Sequence, residues 1–264
     1  MNKLTEFCKE LKNKDQKAFV AYFTAGYPNL DDSFEYIKIA MNSGADIIEV
    51  GLPFSDPVAD GPTIAEAAGV ALESGFRMEE LFKKIEDLRN EGYTTPIVLF
   101  SYINPLYKWG FERVAEILKD LKVEAVLVVD CPIEESETYA PVFKQVGIDT
   151  VMLVSPTTVD DRLRSIVEES DGFVYVISQL GVTGARSEIS EDLESQIENI
   201  KKYTNKPLYA GFGISSPEQA KEVSRYTDGV IIGSAITKII KSSESHDAAK
   251  SKIRDFIRSI KEAI

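Results

Sequence analysis

Short runs of β-branched and apolar residues alternate along this chain with longer stretches in which apolar residues recur every three or four positions. The runs read as buried parallel strands over Ala18 to Thr24, Asp46 to Gly51, Pro96 to Ser101, Ala125 to Asp130, Thr150 to Val154, Phe173 to Ile177, Pro207 to Ala210 and Gly229 to Ile232. The stretches between them read as amphipathic helices over Asp31 to Ser43, Met78 to Glu91, Phe111 to Leu121, Glu134 to Val146, Val159 to Glu168, Ser190 to Tyr203, Ser216 to Ser224 and His246 to Ile264. Entry signals stand at Asp31, Ser190 and Ser215-Ser216-Pro217-Glu218, and glycine exits at Ser43-Gly44 and Glu91-Gly92. Further helical residues precede the first strand and fill Pro62 to Gly75. They read as a cap on the bottom of the fold and an insertion after strand two.

Eight strand–helix units point to a parallel sheet covered by helices, and the count favours closure into a single (β/α)8 barrel over residues 1–264. The competing open, doubly wound sheet is weakened by the first strand–helix turn. Thr24-Ala25-Gly26-Tyr27-Pro28 lacks a dinucleotide-binding fingerprint.

Composition narrows the function classes. The net charge of -13 disfavours nucleic acid and anionic membranes, and no basic cluster offsets it. Cys8 and Cys131 form neither a disulfide framework nor a zinc spacing, so a reducing, cytoplasmic setting is expected. No apolar run reaches membrane-spanning length. The single histidine, His246, lies in a polar stretch and reads as a solvated surface residue, which leaves no ordinary His-based triad or His-rich metal site.

Candidate chemistry gathers at the carboxyl ends of the strands, where barrels place active sites. Glu49 interrupts the apolar run Ile47-Ile48-Glu49-Val50, and a charge there is costly unless neutralised, paired or near solvent. Asp60 follows in the proline-punctuated loop after the same strand. A carboxylate on a rigid strand and another on the adjoining loop make a candidate acid/base pair. Glu49 as a structural ion-pair member and Asp60 as a helix cap are the alternatives. Partial burial is expected to raise the Glu49 pKa, while Asp60, more exposed, is expected to stay ionised. Tyr22, Phe100, Leu127, Val129 and Leu153 lie near strand ends as apolar walls for a flat ring, or as ordinary core.

Glycine-rich turns end strands seven and eight, in Gly211-Phe212-Gly213-Ile214-Ser215 and Ile231-Ile232-Gly233-Ser234. Exposed backbone N–H groups and a following helix N-terminus, here Ser234 to Ile240, can hold a phosphate inside a net-negative protein. Simple turn-making is the alternative for either motif alone.

These stretches together resemble the tryptophan synthase alpha chain family from about Phe19 to Ile240. The distinctive pieces are YFTAGYP (Tyr22 to Pro28), ADIIEVGLPFSDPVADGPTI (Ala45 to Ile64), YINP (Tyr102 to Pro105), GVTGAR (Gly181 to Arg186), GFGISSPEQ (Gly211 to Gln219) and IIGSAI (Ile231 to Ile236). The resemblance implies cleavage of indole-3-glycerol phosphate to indole and glyceraldehyde 3-phosphate. It also implies an α2β2 complex with a beta chain that holds pyridoxal phosphate, and no metal or organic cofactor in this chain. It assigns Glu49 as general acid/base, Asp60 as the carboxylate that takes the indole N–H, and Tyr175 as a tyrosine near the reacting centre. It adds Tyr102, Phe212, Gly213, Ile231, Gly233 and Ser234 as further substrate-binding residues. Thr183 and Gly184 match closing contacts of a lid over Ser178 to Ser187. Asp56, Pro57, Asn104 and Pro132 match regions that face the beta chain.

The chain departs from the family pattern at Gln179, often arginine, at Ile103, often tyrosine, and at Phe100 and Val129. These changes bear on affinity and closure and leave the acid/base pair intact. Three other readings stay open: an allosteric activator of the beta chain with weak activity, a stand-alone lyase, and a generic sugar-phosphate barrel.

Overall fold

The computed structural model describes residues 3–177, 186–211 and 213–264, with only the backbone described for 186–191. Eight parallel strands close into a barrel in chain order. They are β1 (Ala18–Thr24), β2 (Ile47–Gly51), β3 (Ile97–Ser101), β4 (Ala125–Val128), β5 (Asp149–Val154), β6 (Val174–Ile177), β7 (Leu208–Gly211) and β8 (Gly229–Ile232), with β8 pairing back onto β1. Around them lie α1 (Lys3–Asn13), α2 (Leu30–Ser43), α3 (Pro62–Glu73), α4 (Met78–Asn90), α5 (Ile103–Trp109), α6 (Phe111–Asp120), α7 (Ala140–Gln145), α8 (Asp160–Glu169), α9 (Arg186–Lys201), α10 (Pro217–Ser224), α11 (Ser234–Ser242) and α12 (His246–Ala263). The (β/α)8 expectation is met, with the extra N-terminal helix and the extra helix after β8. Among the described residues, no helix is long and apolar enough to cross a membrane.

Strand alternation divides the core in two. On β1, Phe19, Ala21 and Phe23 face the helices, whereas Ala18, Val20 and Tyr22 face the barrel axis. The same period sends Val98 and Phe100 of β3, and Leu127 of β4, inward. Register sets Glu49 beside Tyr22 on one side and Val98 on the other, so its carboxyl group shares the interior with aromatic and aliphatic neighbours.

The base of the barrel is closed by α1. Leu4 and Cys8 are fully buried in the axial cluster, and burial pushes the Cys8 thiol up to about 12. Thr5 fixes the helix in place: its N–H and Oγ1 both donate to Asp149 Oδ2 at 2.8 Å, and its Oγ1 accepts from the Gly172 N–H at 2.9 Å. Gly172 has φ +68°, and a Cβ there would meet Leu4 at 2.8 Å, so both the backbone and the packing favour glycine.

Several local expectations change. The helix expected over 134–146 is a 3-10 turn, Ile133–Thr138, followed by α7, with Tyr139 off helical geometry at φ -131°. Pro141 explains the break, because it has no N–H to continue a helix but fits a first turn. Ser190 is not a helix start, since α9 begins at Arg186. Helix α2 is capped by Asn29, whose side chain accepts from the Asp32 N–H, rather than by Asp31. The Ser216 cap and the left-handed Gly44 exit are as expected.

The YINP stretch opens a helix, α5, whose first N–H donates to Asp130 Oδ1 at 2.8 Å. Pro105 sits in its first turn, where proline is tolerated. His246 is not a solvated surface residue. It is half-buried, with Nδ1 3.0 Å from the Tyr36 hydroxyl and 3.1 Å from Asp32 Oδ1, joining the start of α12 to α2.

Candidate active site

The strand tips surround a cavity of about 460 Å³ that reaches down to Glu49. Tyr22, Phe100, Val129, Leu153 and Tyr175 form its walls, and Asp60 enters from the loop after β2. Gly213, Ile231, Gly233 and Ser234, on the β7 and β8 side, complete the lining. The mixture of apolar walls and a few polar groups is that of a small-molecule site.

Glu49 is 1% exposed, and its Oε1 has no hydrogen-bond partner among the described residues. Burial without compensation favours the neutral acid and pushes its pKa up to about 8. No structural cation neutralises it: among the described residues, its carboxyl group joins no ion pair. An acid of this kind is poised to give and retake a proton near neutral pH.

Asp60 is more buried than its loop position suggests. Burial raises its pKa and the hydrogen bond from Tyr102 opposes that rise. The Tyr102 hydroxyl donates to Asp60 Oδ2 at 2.9 Å and accepts from the Ala59 N–H at 3.0 Å. Tyr102 therefore stands behind Asp60, packed on Phe54 with ring centroids 5.0 Å apart, instead of lining the cavity as expected.

Leu127 also fails to reach the cavity. It is fully buried one interior layer lower, and Val129, two residues further along, takes the wall position. Tyr175 faces inward from the second position of β6, and Ile177 at the end of that strand lines the cavity as well.

The glycines at the strand tips make room for these aromatic side chains. A Cβ on Gly211 would lie 2.5 Å from the Tyr175 hydroxyl, and one on Gly233 would lie 2.9 Å from the Tyr22 ring. A Cβ on Gly51 would collide with the Tyr22 hydroxyl. So these glycines have a packing role inside the barrel in addition to any role toward an anion.

At the far end, α11 begins at Ser234 with Gly233 in the capping position, and no side chain caps it. Its start lies at the part of the cavity lined by Gly213, Gly233 and Ser234, and uncapped first-turn N–H groups of a helix are available to an anion. Phe212, Thr183, Gly184, Gln179 and the rest of the expected lid from 178 to 185 lie outside the described residues.

The family model for the tryptophan synthase alpha chain matches residues 8–264. This chain belongs to that family. The tryptophan synthase alpha chain of Methanocaldococcus jannaschii is 42% identical over 253 residues, covering 96% of this chain and 89% of the relative. That of Arabidopsis thaliana is 39% identical over 262 residues, covering 99% and 95%. Among solved structures, the tryptophan synthase subunit alpha of Legionella pneumophila superposes with a TM-score of 0.91 at 29% identity, covering 100% of this chain and 98% of that one. A chain from a Mycobacterium tuberculosis tryptophan synthase structure gives 0.87 at 28%, covering 99% and 100%.

Sequence reasoning missed several residues of this alpha-chain cavity. Thr63 and Ile64 of α3, Ile177, Ile214 and Lys238 all line it. For Lys238 the signal was available: it lies one helical turn beyond Ser234 on α11 and so shares its face. The others arrive through tertiary folding of α3 and the β6 and β7 tips, which no local pattern announces.

The positions expected to face a partner are at the strand-tip end of the barrel. Asp56, Asn104 and Pro132 are exposed and Pro57 is half-buried. Val58, in the loop of Asp56 and Pro57, and Tyr107, on α5 with Asn104, are 84% and 71% exposed. Among the described residues, no group of three or more His, Cys, Asp or Glu side chains is placed to hold a metal ion.

Proposed function

We propose that this chain cleaves indole-3-glycerol phosphate to indole and glyceraldehyde 3-phosphate, as a carbon–carbon lyase. The observation that carries the reading is Glu49, a buried carboxyl group with a free oxygen and a raised pKa, at the floor of an apolar cavity that also holds Asp60. The indole ring lies between the walls near Tyr22, Phe100 and Leu153, and the phosphate lies at the Gly213–Gly233–Ser234 end.

The protons then balance within the site. Neutral Glu49 protonates indole C3, and Asp60 stabilises the resulting cation at the ring N–H. The Glu49 carboxylate then takes the proton of the glycerol hydroxyl next to the ring. The carbonyl forms as the C–C bond breaks, and that electron pair restores the aromatic indole. Glu49 ends protonated, ready for another cycle. Each positioned acid or base is worth roughly 10²–10⁴ in rate.

The same reading makes this chain the alpha part of a cytoplasmic α2β2 enzyme. Its partner is a beta chain that carries pyridoxal phosphate, and this chain itself uses no cofactor. Membership in the family and the exposed apolar pair Val58 and Tyr107 beside the strand tips support a docking face there. An assay for indole release by the chain alone and with a beta chain tests the reading. Release that depends on intact Glu49 and rises with the partner is expected. No release in either setting would reduce the chain to a binding subunit, and full turnover alone would make it a stand-alone lyase.

A further inference from the structure

We propose that Lys238 is a phosphate-anchoring residue of the cavity, reaching back from α11 to place its ammonium over the Gly233–Ser234 end. The inference rests on the reading of that end as the phosphate site of an indole-3-glycerol phosphate lyase.

Three observations lead to it. First, Lys238 is the one cation among the described residues that line the cavity, whose carboxyl groups are those of Glu49 and Asp60. Second, it follows Ser234 by four positions, on the same helix face. Side chains on a helix lean toward its N-terminus, so that of Lys238 extends toward Ser234 and the open first-turn N–H groups.

Third, the two lysines of α11 are used differently. Lys241 is committed to structure, with Nζ 2.6 and 2.7 Å from the two carboxylate oxygens of Glu66 on α3. Lys238 joins no ion pair or side-chain hydrogen bond among the described residues and is exposed. A net charge of -13 works against any approaching dianion. Backbone donors fix where a phosphate sits, and a mobile ammonium beside them adds the opposite charge that the surrounding field lacks.

The test compares wild type with Lys238→Met, Lys238→Arg and the control Lys241→Met. Affinity for glycerol 3-phosphate is measured by calorimetry at low salt and at about 0.5 M KCl, where charge effects beyond a few ångströms are screened. KM and kcat are measured with indole-3-glycerol phosphate. Lys238→Met is expected to weaken glycerol 3-phosphate binding and raise KM by roughly tenfold at low salt, with kcat within about twofold. The loss should shrink at high salt, and Lys238→Arg should recover most of the affinity.

Unchanged affinity in Lys238→Met overturns the assignment. So does a loss that salt does not diminish, or an equal loss in Lys241→Met. If wild type itself neither binds glycerol 3-phosphate nor releases indole, the reading of the whole cavity falls. If wild type does both and Lys238→Met matches it, only the role of Lys238 falls.

Discussion

The Tyr102 hydroxyl holds Asp60 by the carboxylate and by the loop at once, donating to Oδ2 at 2.9 Å while it accepts the Ala59 N–H at 3.0 Å. A side chain that fixes both a functional carboxylate and its adjoining backbone sets where that carboxylate points. It also favours the ionised form, against the pull of burial.

Tyr102→Phe removes both effects and leaves the aromatic packing on Phe54. The Asp60 pKa should rise, so the acidic limb of the kcat/KM profile should move to higher pH. At neutral pH, kcat/KM should fall about tenfold. A pH–rate profile of the variant with indole-3-glycerol phosphate checks this.

Glu49 gives a prediction for both rate and stability. With its pKa near 8, activity should decline above about pH 8 as the proton it must donate is lost. Glu49→Gln should cut kcat by at least about a hundredfold. For stability, the folded pKa lies above the ordinary 4.5, so between those values the native state binds the extra proton. Stability contributed by this group therefore falls as pH rises through that window. Glu49→Gln should match wild type near pH 4.5 and exceed it by up to a few kcal/mol near pH 9. Urea unfolding across that range reads the difference directly.

Close packing between Gly211 and Tyr175 makes a coupled pair. Gly211→Ala would set a methyl group 2.5 Å from the tyrosine hydroxyl and 3.0 Å from Ile231. A cost of about 1–3 kcal/mol is expected. Tyr175→Phe in the same chain should recover part of it, and a double-mutant cycle measured by denaturant unfolding should show a clear interaction energy. Additive effects would mean that the methyl group is accommodated elsewhere.

The exposed pair Val58 and Tyr107 should matter to association more than to folding. Val58→Asp with Tyr107→Ala should leave Tm within a few degrees, since neither side chain is buried. The same double variant should weaken complex formation with a beta chain by about tenfold or more, read by calorimetric titration.

Much of the barrel was legible in the chain because its strands are short, apolar and alternate with amphipathic helices, and period-2 alternation assigns Glu49 to a buried face. The axial position of Tyr22 follows from the same rule. What local pattern could not supply was contact across distance. Tyr102 and Asp60 lie 42 positions apart, so their bond was hidden, and Tyr102 read as a direct substrate contact. His246 looked solvated because its neighbours in sequence are polar, while its neighbours in space are Tyr36 and Asp32, 210 positions or more away. The depth of the cavity floor was equally invisible, which is why Leu127 and Val129 looked equivalent. Pro141 was a local signal, and its break at Tyr139 was available from the outset.

The stopper that α1 forms gives the barrel a closed end. Leu4 and Cys8 fill the axis at the base, and Thr5 latches them there through Asp149. A small aromatic product released beside Glu49 must then travel outward along the route by which the substrate entered. Val58 adjoins the cavity-lining Ala59, and Tyr107 is exposed on α5, the helix that follows the β3 tip. A subunit seated on them would meet each departing molecule before bulk water does, so the sealed floor turns a docking face into a receiving port.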